Sequence, residues 1–176
     1  LHSSMQIRIM EHENIAHKKE RNNMKRIASF CINHDTLTEG MYTSRVDGDV
    51  VTYDIRMVKP NHGVYLDPPA AHTFEHLFAT YVRNTKYSDE VVYVGPMGCR
   101  TGFYFLVRDT MGQDTAIQLV KETMQFVCEF EGIIPGSAKE ECGNYLSHDL
   151  EGAKRIAEKM RTVLKDWTPE QLTYPE

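Results

Sequence analysis

The chain has 176 residues, 41% of them hydrophobic and 26% charged, with a mean hydropathy of −0.47; these values fit one globular domain with a sizeable core. Its formal charge of −5 and pI near 5.9 argue against a general nucleic-acid binder, which carries a basic excess. No run approaches the ~18 apolar residues of a membrane span, no secretory signal pattern opens the chain, and its four widely spaced cysteines form no C-x-x-C pair, which reads as reduced thiols in a cytoplasmic protein.

Residues 1–23, LHSSMQIRIMEHENIAHKKERNN, are polar and charged with few apolar positions. They are expected to form a poorly ordered extension before a folded domain over 24–176. His2, His12 and His17 fall here without a partner pattern and read as solvated side chains. From Ile27 the chain takes on structured character. MYTSRV, then Asp47-Gly48, then DVVTYDIRMV predicts a β-hairpin, since Asp-Gly supplies the positive φ angles of a tight turn. In its second strand Val51, Tyr53, Ile55 and Met57 alternate with Thr52, Asp54 and Arg56, so Arg56 points away from the apolar face. Pro60 ends the strand.

Pro68 and Pro69 lead into a predicted helix from about Ala70 to Arg83, because proline is tolerated in a first helical turn. Leu77, Phe78, Tyr81 and Val82 form its apolar flank. VVYVG and RTGFYFLVRD predict two further strands. Asp114 is expected to cap a second helix with Ile117, Val120, Met124, Val127 and Cys128 at helical spacing. Pro135-Gly136 breaks the chain, and a third helix is predicted from near Asp149, with Ala153, Ile156, Ala157, Met160 and Val163 or Leu164 inward. Hairpins separated by helices give an α+β fold: an antiparallel sheet packed against helices.

The chemistry concentrates in HTFEH. On a helix His72 and His76 lie one above the other and can offer two imidazoles to one metal ion. Written H-x-x-E-H, the pattern also fits inverzincin metallopeptidases, in which Glu75 would activate water. A catalytic metal usually takes a third protein ligand. Cys142, in EECGNYLSHDL, is the best candidate, with a small buried hydrophobe as its bland alternative and His148 as a rival donor. Glu75 stands next to His76, close enough for proton transfer or for orienting a ligand histidine. Cys99, in GPMGCRTGFYF, sits among glycines at an accessible bend. A nearby cation would populate its thiolate; on a strand Arg100 would point to the opposite face, so Arg56 is the better candidate. Cys31 and Cys128 read as structural.

Five stretches in order, ASFCINHD, TYDIRMVKPN, HTFEHL, GPMGCRTGFY and ECGNYLSHDLEGAK, resemble the S-ribosylhomocysteine lyase (LuxS) family. The resemblance spans Ser29 to about Leu164. It implies a homodimer of small α+β subunits with active sites at the interface, and one divalent metal per subunit: Fe²⁺ in the native state, replaceable by Zn²⁺ or Co²⁺. The implied ligands are His72, His76 and Cys142, the acid/base pair Cys99 and Glu75, and the substrate-holding residues Ser29, His34 and Arg56. The implied reaction cleaves S-ribosylhomocysteine to homocysteine and 4,5-dihydroxy-2,3-pentanedione, precursor of the quorum-sensing signal autoinducer-2. A peptidase would leave Cys99 and Cys142 unexplained; a non-catalytic metal-binding protein would leave Cys99 merely structural. The sequence departs from the family pattern at Asn33, where aspartate is expected, and at Tyr93 and Gly95, in place of aspartate and serine.

Overall fold

The computed structural model describes residues 25–175; the extension expected over 1–23 lies outside them. The chain divides into two units, Leu1–Cys31 and Ile32–Glu176. The described part of the first unit carries one 3-10 turn, Ala28–Phe30.

The second unit is α+β. Strands β1 (Gly40–Asp47), β2 (Val50–Arg56), β3 (Val91–Pro96) and β4 (Gly102–Arg108) form one sheet in the order β1-β2-β4-β3, with every neighbouring pair antiparallel. Helix α1 (Pro68–Arg83) joins the two hairpins, followed by α2 (Gln113–Glu129) and α3 (Leu150–Val163). The predicted hairpin forms one residue later than the Asp-Gly reading. Asp47 pairs with Val50, so the loop residues are Gly48 and Asp49, and Gly48 alone takes positive φ, at +61°. Glycine at the first loop position with an ordinary second residue is the type II′ pattern.

Strand alternation then sorts the side chains. Met41, Ile55 and Phe103 are cross-strand partners and are fully buried beneath the helices, with Tyr53, Phe105 and Val107 continuing the same layer. Helix α1 contributes Phe74, Leu77, Phe78 and Val82 to that core; removing one such aromatic costs about 3–5 kcal/mol. Burying this face turns the stripe His72, Glu75, His76 and Ala79, all half-buried, away from the deepest packing. The opposite sheet face carries Thr52, Asp54 and Arg56, as predicted, yet all three are buried. The cover comes from the segment after α3, whose Trp167 indole N–H donates to the Met41 carbonyl at 2.9 Å.

Two helix starts refine the sequence reading. α1 begins at Pro68, with both prolines in its first turn. α2 is preceded by Gly112 as N-cap, so Asp114 is not the cap; it lies inside the first turn, where its charge complements the helix dipole. α3 begins as predicted: the Asp149 side chain accepts the Gly152 N–H at 2.8 Å.

Candidate functional site

Helix α1 and the loop between α2 and α3 build a cluster of His72, His76, Cys142 and His148 whose ligand atoms all lie within 4.8 Å of one another. The loop holds the histidines through its backbone. His72 Nδ1 bonds the Ser147 carbonyl at 2.7 Å and His76 Nδ1 bonds the Pro135 carbonyl at 2.8 Å. A carbonyl accepts only, so each Nδ1 carries the proton and each Nε2 presents a lone pair to the cluster. Gly136 makes this approach possible, since a Cβ there would sit 3.3 Å from His76 Nδ1.

The donors fit a metal. Cys142 Sγ lies 3.4 Å from His72 Nε2. Two ligands bonded to one tetrahedral zinc-like ion at about 2.0 and 2.3 Å are roughly 3.5 Å apart. The His72 and His76 rings cross at 83°, which lets their planes meet at a common point. His148 is different. Its ring stacks on His72 at 4.2 Å with only 19° between planes, and planes so nearly parallel do not intersect within a metal–nitrogen bond length of about 2 Å. His72, His76 and Cys142 thus have a geometry that one ion could bridge, while His148 completes the group of four with its ring turned parallel to His72. The His148 Nδ1 pairs with Thr73 Oγ1 at 3.1 Å, while its buried Nε2 has no partner among the described residues. Burial, then the adjacent His72 and His76, push its pKa below the ordinary imidazole value. Glu75 is half-buried on the same helix and forms no hydrogen bond or ion pair among the described residues, which leaves its carboxylate available.

A second constellation forms on the sheet. Cys99 and Arg100 lie in the turn between β3 and β4 rather than on a strand. Arg100 takes a left-handed conformation, φ +58°, and its guanidinium stands over the Tyr65 ring at 5.6 Å. Arg56 is the cation that reaches Cys99: Nη1 stands 4.0 Å from Sγ and also donates to Thr101 Oγ1. Thr101 Oγ1 lies 3.0 Å from the same sulfur. Asp54 anchors the guanidinium from the other side at 2.5 Å, and the pair is 0% and 2% exposed. Burial works against the Arg56 charge, but the Asp54 carboxylate overrides it and holds the Arg56 pKa above its ordinary value. The result is a fixed cation at an exposed thiol.

The other expected residues are placed as follows. His34 sits in a turn with Nδ1 on the Ile32 carbonyl at 3.0 Å. Ser29 lies on the 3-10 turn of the first unit. Cys31 is exposed rather than structural; Cys128 is half-buried with its thiol directed at Glu158. The sequence departures have local explanations. Asn33 Oδ1 accepts the Asp35 N–H at 3.0 Å, an Asx turn that aspartate would make equally well. Tyr93 and Gly95 are one linked change: a Cβ at position 95 would lie 2.1 Å from the Tyr93 hydroxyl, so the tyrosine occupies the space a serine would need.

Thr73, Thr101 and Asp54 were not singled out from the sequence. Asp54 was findable, because two residues before Arg56 on a strand is the same face. The carbonyls of Pro135 and Ser147 carry no signal in residue type.

The family model for S-ribosylhomocysteinase (LuxS) matches residues 27–171. The chain belongs to the LuxS family. Three relatives named S-ribosylhomocysteine lyase illustrate the similarity. That of Phocaeicola vulgatus is 48% identical over 158 residues, covering 86% of this chain and 98% of the relative. That of Porphyromonas gingivalis is 47% identical over 159 residues, covering 87% and 100%. That of Clostridium acetobutylicum is 43% identical over 158 residues, again 87% and 100%. The LuxS match agrees with the resemblance of the five motifs and sets the peptidase reading aside. No helix among the described residues is long and apolar enough to cross a membrane.

Proposed function

We propose that this LuxS chain is a metal-dependent S-ribosylhomocysteine lyase, releasing homocysteine and 4,5-dihydroxy-2,3-pentanedione. The observation that carries the reading is the pairing of a His72–His76–Cys142 donor set with a thiol, Cys99, faced by a buried, clamped guanidinium. One thiolate and two imidazoles suit a borderline-soft divalent ion; we assign Fe²⁺ as the native metal, with Zn²⁺ or Co²⁺ as substitutes, one per subunit. When bound, the ion supplies Lewis acidity that stabilises negative charge developing on sugar oxygens, worth several kcal/mol.

The protein's own groups move the protons. The carbonyl of the ribosyl chain must pass from C1 to C2 and then to C3 before the thiol can leave from C5. Each passage removes a proton beside a carbonyl and returns one to the neighbouring carbon. Cys99 as thiolate takes and returns such protons, with Arg56 balancing its charge. Glu75, unpaired on α1, is the second carrier. With the carbonyl at C3, a proton leaves C4 and the C5–S bond breaks. Arg56, His34 and Ser29 are assigned to holding the ribosyl part. The active form is a cytoplasmic homodimer with its sites at the interface. The 53% exposed Tyr93, on the sheet face opposite the core, supports a partner on that face, and the four free thiols support a reducing compartment.

The test incubates anaerobically metal-loaded protein with S-ribosylhomocysteine and measures free thiol. Absence of release with both Fe²⁺ and Co²⁺ overturns the reading. Cys99→Ala should retain metal and lose turnover, whereas Cys142→Ala should lose metal. Near-normal turnover in Cys99→Ala would overturn the base assignment.

A further inference from the structure

The family match ends at residue 171, yet the segment beyond it reaches the anchor of the Cys99–Arg56 pair. After α3 the chain crosses the second face of the sheet. A 3-10 turn, Pro169–Leu172, is closed by a capping box between Thr168 and Gln171, and Leu172 is buried. Tyr174 then stacks on Tyr42, ring centroids 5.0 Å apart and planes at 23°, while Trp167 meets Tyr42 edge-on at 5.8 Å. From this position the Tyr174 hydroxyl donates to Asp54 Oδ2 at 2.9 Å. The same oxygen receives Arg56 Nη2 at 2.5 Å.

We propose that Tyr174 is a positioning residue for the Cys99–Arg56 pair, acting through its hydrogen bond to Asp54. The inference rests on the lyase reading for its catalytic consequence, but its structural basis is independent of it. A buried carboxylate needs donors, and Asp54 Oδ2 has two, Arg56 and Tyr174. Asp54 Oδ1 and Arg56 Nε have no partner among the described residues, so few contacts fix the guanidinium and each counts. With the phenol donating, the carboxylate's charge is shared, and Arg56 keeps Nη1 on Thr101 and beside the sulfur. Without it, Arg56 becomes the sole donor to Oδ2, is drawn toward Asp54, and faces Cys99 with a charge more fully cancelled. Burial and the Asp54 charge push the Tyr174 phenol far above its ordinary pKa, so it stays a donor at any working pH.

Tyr174→Phe tests this, because it keeps the ring stack and removes only the hydroxyl. Two quantities are read in the metal-loaded protein: steady-state thiol release, and the rate of Cys99 alkylation by iodoacetamide against pH, followed on the Cys99 peptide. The expected result is a kcat lowered about three- to tenfold with metal content unchanged. The alkylation profile should move upward by roughly half a pH unit, equivalent to about threefold slower reaction below the midpoint. Tyr42→Phe is the control: it removes a hydroxyl from the stacked ring that serves Thr38 and should leave the profile in place. An unmoved profile in Tyr174→Phe overturns the proposal, whatever the activity does, and so does an equal movement in Tyr42→Phe. If the unaltered protein releases no thiol, the lyase reading falls while the alkylation profiles still decide the role of Tyr174.

Discussion

Thr73→Val should loosen the candidate metal cluster without touching His72, His76 or Cys142. Thr73 is fully buried on α1, and its Oγ1 both pairs with His148 Nδ1 at 3.1 Å and accepts the Asp149 N–H at 2.9 Å. Valine has nearly the same volume, so no cavity term enters. The Asp149 N–H keeps a second acceptor, the Pro69 carbonyl at 3.3 Å. His148 has no such reserve, because its Nε2 is already unpartnered among the described residues. The net loss is one hydrogen bond plus a second buried ring nitrogen left unsatisfied, about 1–3 kcal/mol. For a chain of this size that corresponds to a Tm lower by about 2–12 °C. The His148 ring, no longer held, also ceases to fix the His72 ring stacked against it. The Ser147 carbonyl still holds His72 Nδ1, so metal affinity should fall by no more than about tenfold, the lower end of what loss of a ligand's hydrogen-bond partner causes. Thermal unfolding of the metal-free protein measures the first effect, and Co²⁺ competition with a chelator measures the second. A Tm within about 1 °C of the unaltered protein, together with unchanged affinity, would refute the reasoning.

Two other expectations concern the sheet and the remaining cysteine. Gly95→Ser alone should displace the exposed Tyr93 ring, whose hydroxyl fills the space of the new Cβ, at a cost of up to about 1 kcal/mol; adding Tyr93→Asp should recover most of the loss. Additive denaturation free energies for the two changes would show that they are not linked. Burial first, and then the Glu158 carboxylate bonded to it, push the Cys128 thiol above its ordinary pKa. A raised thiol pKa means less thiolate at any given pH, so Cys128 should alkylate more slowly than exposed Cys31 from about pH 7 to about pH 9. The sign for stability follows: the neutral thiol is the favoured folded form, and stability falls as pH rises past the unfolded-state pKa. Equal alkylation rates for the two cysteines would refute the burial argument.

What the sequence made legible follows from how each feature is encoded. HTFEH announces itself because two side chains at helical spacing suffice to make a bidentate face, and α1 carries them where its period puts them. Strand alternation likewise placed Arg56 opposite the apolar face, and Arg56 reaches Cys99 as expected. The turn register slipped by one residue because Asp-Gly and Gly-Asp both satisfy a two-residue loop, and only pairing with β2 chooses between them. Asp114 failed as a cap for a related reason: a capping residue and a first-turn acid look alike when the helix start is set by packing. Spacing alone says nothing of how His148 stands to His72, since the angle between the two rings depends on positions brought together from far apart in the chain.

The two chemical groups rest on different supports, and this bears on how the site tolerates change. The metal donors hang on one helix and a loop whose carbonyls hold the imidazoles; almost any side chain could supply those carbonyls, provided the loop keeps its path. Cys99 depends instead on a chain of side chains, Arg56, Asp54 and Tyr174, packed on the far face of the sheet. Such a chain contains a buried ion pair, which is costly to break from either end. Loop changes that preserve backbone path should therefore spare the metal, whereas single polar-to-apolar changes beneath the sheet should disable proton transfer first. The departures from the family pattern follow this division. Asn33 keeps a turn that aspartate could make, and Tyr93 with Gly95 exchange volume between themselves, so neither interrupts the chain of contacts that ends on the Cys99 sulfur.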